Sequence, residues 1–180
     1  MKILVVYCSS HGTTTKAALQ VKKQLKGDVI VLNLNKAKLH SDLELFDAII
    51  IGGSIHTGSI QGRIKKFIKE HLPVLKTKKI GLFLCCMREG EIAQKQFESA
   101  YPNELRESAV ATGIFGGEFL VSKMNFFEKQ LVKVVGGVTT DTSRIDEAAI
   151  KEFADLFNRS LTPSVQVSES TYLIADQVQI

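Results

Sequence analysis

The sequence predicts a doubly wound α/β domain built on a five-stranded parallel sheet in the order 2-1-3-4-5, with an insert after the fifth strand. Two observations point there. Short β-branched runs alternate with stretches of helical period, the rhythm of right-handed βαβ units. The runs also number five, which favours this order over a larger six-strand dinucleotide sheet.

Lys2–Tyr7 (Lys-Ile-Leu-Val-Val-Tyr) is the first strand, apolar enough to be buried on both faces. Ala18, Val21 and Leu25 then recur at near-helical spacing, and Gly27 ends that helix. Val29–Leu34 reads as the second strand and Asp47–Ile51 as the third, closing on Gly52-Gly53. Ile64, Phe67, Ile68 and Leu72 mark one helix face, which Pro73 is expected to stop. Lys79–Cys86 is the fourth strand. Ile92, Ala93, Phe97 and Ala100 make the third helix, before Pro102. Val110–Phe115 is the fifth strand, and Ile145, Ala148, Ala149, Phe153, Leu156 and Phe157 are the stripe of the last helix. The domain is read as residues 1–159 with an insert at 116–143, followed by a polar tail, 160–180, loose or edge-pairing through Tyr172–Ile174.

Composition narrows the class. With 180 residues, 44% hydrophobic, 13 Gly and 3 Pro, the chain is neither disordered nor fibrous. Its longest apolar runs, Ala48–Ile51 and Ile80–Met87, fall short of the ~18 residues a membrane span needs, and no signal peptide is expected before Lys2. Three cysteines, two of them adjacent, make no disulfide framework and fit a cytoplasmic protein. The net charge of +4 is mild, and no nucleic-acid partner is expected.

Ligands of such sheets bind beyond the carboxyl ends of the strands, where the winding reverses beside strand 1. The loop there, Ser9-Ser10-His11-Gly12-Thr13-Thr14, crowds hydroxyls around a glycine where strand becomes helix, as a phosphate site requires. It lacks the Gly-Lys-Ser/Thr of a Walker loop and the three glycines of a dinucleotide fingerprint. Thr14 stands where a Cys-x5-Arg phosphatase loop would need Arg, and no acid follows the strand for phosphoryl-aspartate chemistry. Phosphate capture without catalysis remains, beside the plainer reading of a polar helix cap.

The spelling of this loop resembles the flavodoxin FMN-phosphate loop, Ser/Thr-x-Thr-Gly-x-Thr, with His11 in place of the usual Thr. Ile51-Gly-Gly-Ser-Ile-His-Thr-Gly58 resembles the second flavin loop. Together with Gly136–Thr142, the pattern is similar to the flavodoxin-fold, quinone-dependent protoporphyrinogen IX dehydrogenases, from Lys2 to about Arg159. The resemblance implies FMN as cofactor, its phosphate on residues 9–14. Its ring would lie between Ser54, Ile55, His56, Thr57 and Gly58 on one side and Cys86, Met87, Arg88 and Glu89 on the other. Neither ring loop carries the Trp or Tyr that flavodoxins usually stack on the flavin.

The flavin would carry the chemistry, so no catalytic side chain is expected. The implied activity is oxidation of protoporphyrinogen IX, or a related organic donor, with electrons passed to a quinone. The alternatives are an FMN electron carrier serving redox proteins, which the sequence pI of 8.9 suits poorly, and a flavodoxin-fold protein that has lost FMN. Cys8, Cys85 and Cys86 lack C-x-x-C spacing and read as small buried side chains. In the insert, Met124, Phe127, Leu131 and Val134 or Val135 have helical spacing among lysines. Residues 119–135 therefore read equally as a peripheral membrane contact, a homodimer face or a cover for the core.

Overall fold

A computed structural model of the chain describes residues 1–119 and 142–162. Five parallel strands form the sheet: β1 (Lys2–Tyr7), β2 (Asp28–Asn33), β3 (Ala48–His56), β5 (Lys79–Cys85) and β6 (Ala109–Ile114). Their spatial order is β2-β1-β3-β5-β6, the predicted 2-1-3-4-5, with the short strand β4 (Ser59–Ile60) paired antiparallel to the end of β3. Register is tight around β1, where Val5 faces Val31 on one side and Ile50 on the other.

Alternate residues of each strand feed two cores. Leu4, Val6, Ile49, Ile51, Leu82 and Leu84 pack beneath α2 (Gly62–Leu75) and α3 (Gly90–Ala100). Ile3, Val5, Ile50 and Phe83 pack beneath α1 (Thr13–Gln24) and α5 (Glu147–Leu161). Burial on both faces is why these strands read as continuous apolar runs rather than alternating ones. Phe83, Phe115 and Phe153 form the centre of the second core, with ring centroids 4.9 Å apart for Phe83 and Phe115 and 5.4 Å for Phe115 and Phe153. Between α3 and β6 a short helix, α4 (Asn103–Ser108), seats Leu105 in the first core.

Several boundaries differ from the sequence reading. Pro73 does not stop α2, which carries it in the last turn and runs to Leu75. The turn survives the missing N–H because Lys76 N–H donates to the Leu72 carbonyl at 3.1 Å and Leu75 is fully buried. Ile145 belongs not to the last helix but to a strand, β8 (Thr142–Ile145), because the Asp146 carboxylate caps α5 by accepting from Ala149 N–H. Ile92 and Leu156, expected on buried stripes, are 55% and 37% exposed; Ala93, Phe97, Phe153 and Phe157 fill those faces. The polar tail begins later than residue 160, since α5 continues through Leu161 and the Ser160 carbonyl accepts from Lys79 Nζ.

The insert opens on β7 (Gly116–Phe119), which pairs antiparallel with β8, Glu118 opposite Ser143. The apolar, basic stripe at 124–135 and the segment Tyr172–Ile174 lie outside the described residues. Among the described residues no helix is long and apolar enough to cross a membrane.

Candidate functional site

The carboxyl ends of β1, β3 and β5 bring the three predicted loops to one rim. Cys8 N–H donates to the Gly52 carbonyl at 3.3 Å, and Cys86 N–H to the Gly116 carbonyl at 2.7 Å, so loop, sheet and insert are stitched together at this end.

The loop after β1 enters α1 through Gly12, whose φ of 107° and ψ of −18° suit glycine and strain any other residue. Among the described residues no side chain caps α1. The first-turn N–H groups of Thr13, Thr14 and Thr15 thus lack the usual capping oxygen, where the helix dipole favours an anion. The Ser9 hydroxyl accepts from Gly12 N–H at 3.1 Å and keeps its own proton to donate. Ser10 accepts from Asn35 Nδ2 at 3.4 Å.

The threonines divide in role. Thr14 is buried, with its hydroxyl against the Cys85 thiol, so it supports the loop from behind. Thr13 donates its hydroxyl to Glu118 at 3.2 Å. The same carboxylate accepts from Lys16 Nζ at 2.8 Å and Ser143 at 2.7 Å, and the Glu118 side chain is only 2% exposed. Burial pushes its pKa up, but the hydrogen bonds from Lys16, Ser143 and Thr13, with the Lys16 charge, outweigh burial and hold it below the usual carboxylate range. Glu118 therefore rivets the insert hairpin to the start of α1.

Residues 54–60 form a hairpin. Thr57 and Gly58, with φ of 46° and 81°, turn β3 back into β4, both central residues left-handed as a type I′ turn requires. Ile55 pairs with Ile60 in it and His56 with Ser59. His56 Nε2 lies 3.2 Å from the Ser54 hydroxyl, and its ring centroid is 6.1 Å from that of His11, so hairpin and first loop adjoin. Gln61 joins them: its side chain accepts from Ser54 N–H at 2.9 Å and donates to the Ser54 hydroxyl at 2.6 Å and the Cys8 carbonyl at 3.4 Å.

On the third side Cys86 is buried, with its thiol donating to the Arg88 carbonyl at 3.5 Å. Met87 is half-buried, while Arg88 and Glu89 are exposed, Glu89 pairing with Arg144 of β8 at 3.3 Å. Burial pushes the thiols of Cys8 and Cys85 up to about 11 and about 12 and raises that of Cys86, so at neutral pH all three are protonated.

All the loops singled out in the sequence meet at this rim. Gln61 and Glu118 were not foreseen; the signal for Glu118 is faint, a lone acid between two glycines and an apolar run. The rim fits a phosphate ester, on the ground that α1 begins on a left-handed glycine with no side-chain cap.

A family model described as a flavodoxin domain matches residues 4–146. The chain belongs to the flavodoxin-domain family. Among curated proteins, this flavodoxin domain is similar to the protoporphyrinogen IX dehydrogenase (quinone) of Leishmania major, 23% identical over 174 residues, 87% of this chain and 74% of that protein. Among solved structures it is similar to oxidised flavodoxin 1 of Bacillus cereus, with a TM-score of 0.57, 18% identity and coverage of 90% of this chain and 100% of that one. A two-electron-reduced flavodoxin of Megasphaera elsdenii gives a TM-score of 0.56, 17% identity and coverage of 87% and 98%.

Proposed function

We propose that this flavodoxin domain binds FMN at the rim and is an oxidoreductase that takes electrons from a protoporphyrinogen-like organic donor and delivers them to a quinone. The observation that supports cofactor binding most is the uncapped start of α1 on Gly12. The backbone N–H groups of Thr13–Thr15, with the Ser9 and Ser10 hydroxyls, would hold the phosphate by neutral donors and the helix dipole. The 54–58 hairpin and the 86–89 segment would hold the ring. Bound FMN would supply hydride or electron transfer.

The chain's own residues orient and enclose. Gln61 locks the hairpin against the first loop, and Glu118 locks the insert against α1. None of the three loops (9–14, 54–60, 86–89) contains Trp, Tyr or Phe, which leaves a ring face for a flat organic substrate. The Leishmania relative supports a porphyrinogen donor and a quinone acceptor.

A second reading, an electron carrier for redox proteins, is favoured by the near-complete coverage of the Bacillus flavodoxin. An anaerobic assay separates the two. Purified protein supplied with FMN, protoporphyrinogen IX and menaquinone should release fluorescent porphyrin at a rate proportional to protein concentration. Porphyrin formation no faster than in a protein-free control, with flavin bound, would support the carrier.

A further inference from the structure

Beside the rim, on the β2 side of the sheet, a cavity of about 340 Å³ opens between the segment after β2 and helix α2. Its apolar lining is Leu34, Ala37, Leu39 and Phe67. Phe67 is 5% exposed, Leu34 and Leu39 pack partly buried against the first core, and the His71 ring lies on Phe67 with centroids 4.9 Å apart. The cations lining it are Lys38, Arg63 and Lys66, against one acid, Glu70. Lys66 and Glu70 face each other at 3.7 Å with both side chains largely exposed, a contact weakened by water. Arg63 spends one Nη1 proton on the Leu34 carbonyl at 3.0 Å, fixing its guanidinium at the cavity with further N–H donors.

We propose that this cavity is a second binding site, for a small amphipathic anion: a flat aromatic body bearing a carboxylate. A cationic ligand meets three like charges. A compact anion such as acetate leaves the Leu34, Ala37 and Leu39 surface wet, and a neutral ring leaves Arg63 and the lysines without a counter-charge. An aromatic carboxylate satisfies both halves, and the volume is in the range of small-molecule sites, ~300–1,000 Å³. The site stands apart from the flavin reading: none of its lining residues belongs to the three rim loops.

The test is a ¹⁵N–¹H titration of the full chain with 2-naphthoate, with and without FMN. Neutral 2-naphthalenemethanol and acetate serve as controls. Saturable shifts should map to residues 34–39 and 63–71; the alcohol, which lacks one charge-assisted contact, and acetate, which lacks the apolar ring, should each bind about tenfold more weakly. The K38Q/K66Q variant should weaken naphthoate by at least about fivefold, and E70Q should tighten it about twofold, with spectra otherwise parental. Shifts confined to residues 9–14, 54–58 or 86–89, equal binding of naphthoate and its alcohol, indifference to both variants, or no saturation would each overturn the proposal. Naphthoate binding at 34–71 in a chain that takes up no FMN would leave it standing while removing the flavin reading.

Discussion

Replacing Glu118 by alanine probes how the insert is fixed to the site. The carboxylate accepts three hydrogen bonds, from Thr13, Lys16 and Ser143, and its side chain is 2% exposed. Hydrogen bonds to charged groups contribute ~1.5–3 kcal/mol each, but Lys16 is half in water and regains hydration when its partner goes. The net loss should be about 3 kcal/mol, lowering Tm by roughly 6–12 °C at ~2–4 °C per kcal/mol for a chain of this size. The loss depends on pH with a defined sign. The folded-state pKa of Glu118 lies below its unfolded value, so its contribution is complete above the ordinary carboxylate pKa and vanishes as pH falls through the folded one. Thermal unfolding of parent and E118A, followed by circular dichroism from pH 7 to pH 3, should give curves that converge in acid. A gap under about 1 °C at pH 7, or one constant across the range, would refute the reasoning.

Gly12→Val should weaken FMN about 10- to 100-fold, since a φ of 107° costs a side chain ~1–3 kcal/mol; flavin fluorescence quenching measures it, and an affinity within threefold of parent would count against the loop geometry. Gly116→Ala should destabilise the protein by more than ~3 kcal/mol, because the new Cβ would meet the Arg144 carbonyl oxygen at 1.8 Å at a φ of 67°; an unchanged denaturation midpoint in urea would contradict the β7–β8 pairing. The cysteines should resist Ellman's reagent at pH 8 in the folded protein and react promptly in denaturant, since Cys8 and Cys85 titrate near 11 and 12; fast labelling of native protein would contradict their burial.

The sheet was legible because its central strands, β1, β3 and β5, are buried on both faces and stand out as apolar runs between polar turns. The edge strands β2 and β6, only partly covered and with Ile30 of β2 exposed, still keep a β-branched run. Helix ends were less so. Pro73 is a breaker by its chemistry, yet burial of Leu75 two residues later outweighs a single missing hydrogen bond. The loop after β1 could be placed at the rim by its spelling because strand, glycine and helix start are local. What escaped was long-range. Glu118 meets Thr13 across 105 residues, and Gln61 meets Cys8 across 53, so no periodicity records either contact. The Thr57-Gly58 hairpin turn is the exception, since Gly58 between residues of strand type is a local signal for it.

Titrating the chain with FMN and with riboflavin isolates the phosphate ester, the only group in which the two flavins differ. If α1 receives that ester on its first-turn N–H groups, FMN binds one to one and riboflavin at least about 100-fold more weakly, the value of roughly two charge-assisted hydrogen bonds. Equal affinities, or no uptake of either flavin, would contradict the account.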